Sequence, residues 1–151
     1  MSLRYRYKQF PVKRPIVSLG GRRTRPRPLV PVTLVGPAAS KLETGLLDTG
    51  SDDTVFHEDL AVGLGIDLTG APTGEATGVS TGKARLRFAE VKLRLASGKE
   101  RREWIAWVGF TSIPIRLPLL GFAGFLQYFT ATFHGDREEV ELAVNSSYPG
   151  T

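Results

Sequence analysis

The sequence contains no cysteine and only two histidines in 151 residues. Without cysteine there are no disulfides, no thiolate metal ligands and no cysteine nucleophile, and two histidines are too few for a multi-histidine metal centre. The compartment stays open on this ground alone, because cysteine-free chains occur in all of them. Also lacking is any apolar run near the ~20 residues a bilayer-spanning helix needs. The opening Met1-Ser2-Leu3-Arg4-Tyr5-Arg6-Tyr7-Lys8 has no apolar centre of the kind a secretion signal carries. These absences predict a soluble, cytoplasmic protein without a membrane partner.

What is present describes one folded domain. With 41% hydrophobic and 23% charged residues the chain has ordinary globular usage and enough apolar mass for a core. Its 17 glycines and 10 prolines, set among short apolar runs, predict a mainly β fold with many turns and few, short helices. The net charge of +5 is unevenly placed. Nine Lys or Arg lie between Arg4 and Arg27, with Tyr5, Tyr7 and Phe10 interleaved and no acid among them. Such a run is either a solvated extension or a contact for nucleic acid or another acidic surface. Pro11, Pro15, Pro26, Pro28 and Gly20-Gly21 make residues 1–28 an extended arm whose short strands can add to a sheet edge. The body is expected over 29–144, with a tail over 145–151.

Along the body, Leu29 to Val35 has the β-branched content of a strand, with Pro31 pointing to an edge or to its first residues. Glu43 to Leu47 reads as a second strand, which delivers Asp48 at its end, and His57 to Leu64 as one or two helical turns. Glycines at 70, 74, 78 and 82, followed by the alternating Ala84 to Phe88, predict a projecting hairpin with Gly78-Val79-Ser80-Thr81-Gly82 at its tip. Leu86 and Phe88 fall on even positions, but Val91, Leu93 and Leu95 on odd ones, which predicts a bulge near Ala89-Glu90. Glu103 to Phe110 reads as a strand buried on both faces, with Trp104 and Trp107 both in the core. Phe122, Phe125, Leu126 and Phe129 have the spacing of a short helix, and Val140 to Val144 closes the chain as a hairpin strand.

The stretch that carries chemistry is Leu46-Leu47-Asp48-Thr49-Gly50-Ser51-Asp52-Asp53-Thr54-Val55. Two leucines end a buried strand and a sharp turn follows, so Asp48 emerges at the mouth of an apolar core. A carboxylate there needs donors, a metal or a second carboxylate, because burying it unpaired costs several kcal/mol. Calcium loops place acids at alternate positions with a distant Glu, and phosphotransferases with a nucleophilic Asp want a second acid where Gly50 stands. No metal and no cofactor are therefore expected. Taken alone, Asp-Thr-Gly also reads as a structural turn whose Asp and Ser cap backbone amides.

Taken whole, the stretch resembles the active-site signature of retropepsin-like aspartic peptidases. A glycine-bearing segment at 78–82 and Leu119-Leu120-Gly121 ahead of a short helix follow in the order of that family, so the resemblance runs from about Leu29 to Val144. It implies a retropepsin-like closed β-barrel protomer with a flap hairpin and a short C-terminal helix. It also implies an aspartic endopeptidase in which two carboxylates share a proton, one activating water while the other protonates the carbonyl oxygen, with the split pKa values usual for such dyads. The chain has one Asp-Thr-Gly, so the second carboxylate would come from a homodimer that brings Asp48 against its symmetry mate.

In that scheme Thr49 locks the two active-site loops together, Gly50 lets backbone amides approach, and Ser51 donates to the outer Asp48 oxygen. Asp52 and Asp53 hold the backbone of a peptide or protein substrate. Gly78, Val79 and Ser80 belong to the flap, and Leu117 and Leu119 form apolar pockets beside the scissile bond. Two features depart from the viral pattern. Phe122-Ala123 stands where retroviral members carry Arg-Asn, and Thr77, Ser80 and Thr81 make the flap more polar. The competing reading is a non-catalytic dimerisation or peptide-binding module on the same fold.

Overall fold

The computed structural model describes residues 2–78 and 82–151, with side chains omitted from 77 to 83. Strands take up 58% of the chain, so the fold is mainly β as composition predicts. In order they are β1 (Leu3–Arg6), β2 (Lys8–Ile16), β3 (Arg22–Arg27), β4 (Leu29–Val35), β5 (Ser40–Leu47) and β6 (Val55–His57). A helix, α1 (Glu58–Leu64), precedes β7 (Thr73–Gly78), β8 (Gly82–Ser97), β9 (Glu100–Thr111), β10 (Leu119–Leu120), β11 (Phe129–His134) and β12 (Glu139–Val144).

Six strands close into a barrel in the order β4-β5-β10-β6-β9-β8, with β8 returning to β4 through Thr33↔Arg94, Leu34↔Leu93 and Val35↔Lys92. Closure removes the unpaired edges that an open sheet would present. Strand β7 lies outside the ring, antiparallel to β8 from Thr73↔Arg87 to Gly78↔Gly82. Pro31 sits where β4 has β5 as its neighbour and β8 has not yet joined, so its missing N–H costs no ladder bond on that side. Val30, Val32 and Leu34 alternate into the barrel and meet Leu93 and Leu95 of β8 and Val108 of β9 in one fully buried cluster.

The chain ends pack together. β1 and β11 flank β12 in a second sheet, and Leu3 and Tyr5 of β1 join the core beside Val140 and Leu142. Tyr5 donates from its hydroxyl to the Ala96 carbonyl at 3.0 Å. Residues 145–151 return to β9, where Thr151 and Glu103 exchange two backbone hydrogen bonds and Tyr148 stacks edge-on against Trp104. The basic segment forms a separate hairpin, β2 with β3, in which Ile16 is buried while Val17 stays exposed.

Three sequence expectations are corrected. The short helix over 122–129 is one 3-10 turn, Leu126–Tyr128, because Gly124 adopts φ +87° and Phe125 leaves the helical region. Its apolar spacing serves instead to gather Phe125 and Phe129 around the Trp104 ring, at 5.6 and 5.3 Å between centroids. No bulge interrupts β8 against β9, whose register runs unbroken from Leu86↔Thr111 to Ser97↔Glu100. The parity switch arises because the two ends of this 16-residue strand bury opposite faces: Val91, Leu93 and Leu95 enter the main cluster, whereas Leu86 is buried outside it against Gly109. Strand β9 is covered on both faces only over Val108 to Thr111, and on one face before that. Trp104 is buried, but Trp107 is 52% exposed and Ile105 55%.

Candidate active site

The turn after β5 is built by two chain segments that cross. Strand β10 inserts between β5 and β6, parallel to the first through Leu119↔Leu46 and Leu120↔Leu47, and antiparallel to the second through Leu119↔Val55. Leu120 packs on Gly45, where a Cβ would stand 2.7 Å from the leucine Cγ. Asp48 N–H donates to the Leu120 carbonyl at 3.1 Å, so the residue leaves the strand still tied to β10. The chain then turns, with Ser51 N–H donating to the Asp48 carbonyl at 3.2 Å.

Further bonds fix the far side of the turn. Phe122 N–H donates to the Ser51 carbonyl and Ala123 N–H to that of Asp52, both at 2.9 Å. The Thr54 hydroxyl, fully buried, donates to the Ala123 carbonyl at 2.8 Å. Gly121 lies between the two segments, and a Cβ there would fall inside contact distance of the Ser51 and Asp53 carbonyl oxygens. Sequence reasoning gave no role to Thr54 or Gly121. The signal for the glycine was its place after two apolar residues, but its necessity lies in a backbone approach that spacing does not reveal.

Within this frame Asp48 is half-buried, while Thr49 and Gly50 are exposed. Gly50 N–H donates to Asp48 Oδ1 at 2.9 Å, an Asx-type bond that orients the carboxylate. It is the one donor to that carboxylate among the described residues, which leaves an oriented acid at the barrel rim able to accept or give a proton. Ser51 is placed differently from the expectation: its hydroxyl donates to the Asp53 carbonyl at 2.7 Å and so braces the turn rather than Asp48. Asp52 is exposed and Asp53 half-buried. Burial first, and the Asp52 charge second, push the Asp53 carboxyl above its ordinary range.

Leu117 and Leu119 are half-buried and line a groove of about 580 Å³ with Leu46, two residues before Asp48. The opposite wall, unforeseen from the sequence, is the basic hairpin, through Phe10 and Val12 of β2 and Arg25 and Arg27 of β3. Gly78 ends β7 opposite Gly82, and Val79 and Ser80 lie outside the described residues. Phe122, at the position of the departure from the viral pattern, is 61% exposed and makes its contact with the turn through its backbone. No helix is long and apolar enough to cross a membrane among the described residues. No protein-family model matches the chain, and no curated protein matches it either.

Proposed function

We propose that the chain is a retropepsin-like aspartic endopeptidase that works as a homodimer, with Asp48 of each copy supplying one carboxylate of the catalytic pair. The observation that carries this reading is the Asp48 turn itself. Its carboxylate is oriented by Gly50 N–H, and the whole loop is clamped by the inserted Leu119–Ala123 segment, the rigidity a proton-sharing pair requires. A twofold contact at the exposed Thr49 and Gly50 would bring the two loops together, so that one Asp48 draws a proton from water as the other protonates the substrate carbonyl. Leu117 and Leu119 would receive apolar side chains next to the cleaved bond, with the β7/β8 hairpin as the flap.

The second reading, a peptide-binding or dimerisation module without turnover, is favoured by one feature. Ser51 spends its hydroxyl on the Asp53 carbonyl, so no donor besides the Gly50 backbone amide supports the Asp48 carboxylate in the protomer among the described residues. Cleavage of a peptide library from acidic to neutral pH, read by mass spectrometry, separates the two. Asp48→Asn is expected to lower turnover by about 10²–10⁴-fold. Peptide binding without Asp48-dependent cleavage selects the module.

A further inference from the structure

The groove that takes in Leu46, two residues before Asp48, has a chemistry that its apolar pockets alone do not explain. Register pairs Phe10 with Arg25 and Lys8 with Arg27, and side chains alternate along a strand, so Phe10, Arg25 and Arg27 share one face of the β2/β3 hairpin. That face lines the groove. Residues of the other face, Gln9, Arg22 and Thr24, are bonded to one another, and Gln9 and Arg22 are anchored on Glu138. Arg25, Arg27 and Arg116, by contrast, line the groove with no carboxylate partner among the described residues, and no acidic side chain lines it there. Facing them is the aliphatic wall of Leu46, Leu117 and Leu119.

We propose that this groove selects an extended peptide in which acidic residues alternate with apolar ones, a reading that rests on the peptidase proposal for where the substrate runs. Arg25 and Arg27, two apart on one strand, repeat at ~6.6–7 Å, the spacing of alternate side chains in an extended peptide. Carboxylates at every second position meet the guanidiniums, and the intervening side chains turn the other way, onto the leucines. The aliphatic wall separates this from a nucleic-acid site, where bases would want aromatic platforms along the strand and the groove offers Phe10 alone. The hairpin is thereby a specificity wall rather than a solvated arm.

The test is fluorescence anisotropy on the full chain carrying Asp48→Asn, which reads binding without turnover. Probes are a short labelled peptide alternating Glu and Leu, its Gln/Leu and Glu/Ser analogues, and a single-stranded oligonucleotide. The Glu/Leu peptide is expected to bind about fivefold tighter than Gln/Leu, the scale of two partly exposed ion pairs, and Arg25→Gln with Arg27→Gln is expected to erase that preference. Lys13→Gln with Arg14→Gln removes as much charge from the same hairpin outside the groove, and the preference should survive it. Equal binding of Glu/Leu and Gln/Leu overturns the proposal, as does equal loss in both double variants. Binding of Glu/Ser or the oligonucleotide as tight as that of Glu/Leu also overturns it, by marking a general polyanion surface. Selective binding with no hydrolysis by the unsubstituted chain keeps the groove and sinks the peptidase reading; hydrolysis indifferent to peptide charge does the reverse.

Discussion

At Gly121 two backbones pass so closely that the absence of one methyl group decides whether the Asp48 turn can form. The atoms a Cβ would strike are carbonyl oxygens of Ser51 and Asp53, which belong to the clamped turn and cannot rotate away as a flexible side chain could. Gly121→Ala is expected to cost about 2–4 kcal/mol in denaturant unfolding, an overpacking and displacement penalty rather than a loss of chain entropy. Trp104 carries a different load. Its indole N–H donates to the Gly124 carbonyl at 3.0 Å while the ring stacks edge-on with Phe125, Phe129 and Tyr148. Trp104→Ala should therefore destabilise by about 3–5 kcal/mol, again measured by denaturant unfolding. The exposed Trp107, three residues on, should tolerate alanine with a change under about 1 kcal/mol. Residue type alone could not separate the two tryptophans, because both faces of β9 read as apolar. Asp48 at a strand end was legible because a leucine pair followed by Asp-Thr-Gly-Ser leaves few conformations. The partner chosen by Ser51 was not, since Asp48 and Asp53 are both within two or three residues of it and three-dimensional geometry decides between them.

Among the elements, the β2/β3 hairpin is latched by Glu138, the one acid outside it that its side chains bond among the described residues. Glu138 accepts from Gln9 Nε2 at 2.7 Å and pairs with the Arg22 guanidinium, and its carbonyl accepts from Tyr7 N–H at 2.7 Å. Its backbone sits at φ +49°, a conformation that costs a non-glycine residue of order 1 kcal/mol. The hydrogen bond from Arg22, then that from Gln9, holds the carboxyl down to about 2. A depressed acid pKa means the latch is complete above the ordinary Glu value and is lost as pH falls towards 2. Amide exchange in β2 and β3, corrected for intrinsic rates, should accelerate over that interval relative to the barrel strands, and Glu138→Gln should show the faster exchange already at neutral pH. Unchanged exchange in the variant would place the hairpin's hold elsewhere. The sequence made the hairpin legible as a proline- and glycine-broken extended segment, but not its docking, because Glu138 lies more than a hundred residues away. In the same way the helical spacing of Phe122 to Phe129 was real, yet Gly124 at positive φ turned it into a ring of aromatics around Trp104.

On the scale of the whole molecule, the mainly β architecture followed from composition and turn spacing, whereas the closed barrel, also found, was expected only through the resemblance. Closure depends on the three pairs that join β4 to β8, residues about sixty positions apart, and on β10 slipping between β5 and β6. A single protomer is insufficient in the proposed chemistry because it carries one Asp-Thr-Gly; the insertion ties that Asp48 to β10, and Thr49 and Gly50 beside it are exposed. Activity per chain should accordingly fall on dilution, in step with dimer dissociation followed by light scattering. The most direct measurement mixes unsubstituted and Asp48→Asn chains, unfolds and refolds them together, and follows peptide hydrolysis at constant total concentration as the mutant share rises. A catalytic pair built from two Asp48 carboxylates predicts a rate that falls as the square of the unsubstituted fraction. A rate that falls in simple proportion, or hydrolysis that persists in pure Asp48→Asn protein, would contradict it.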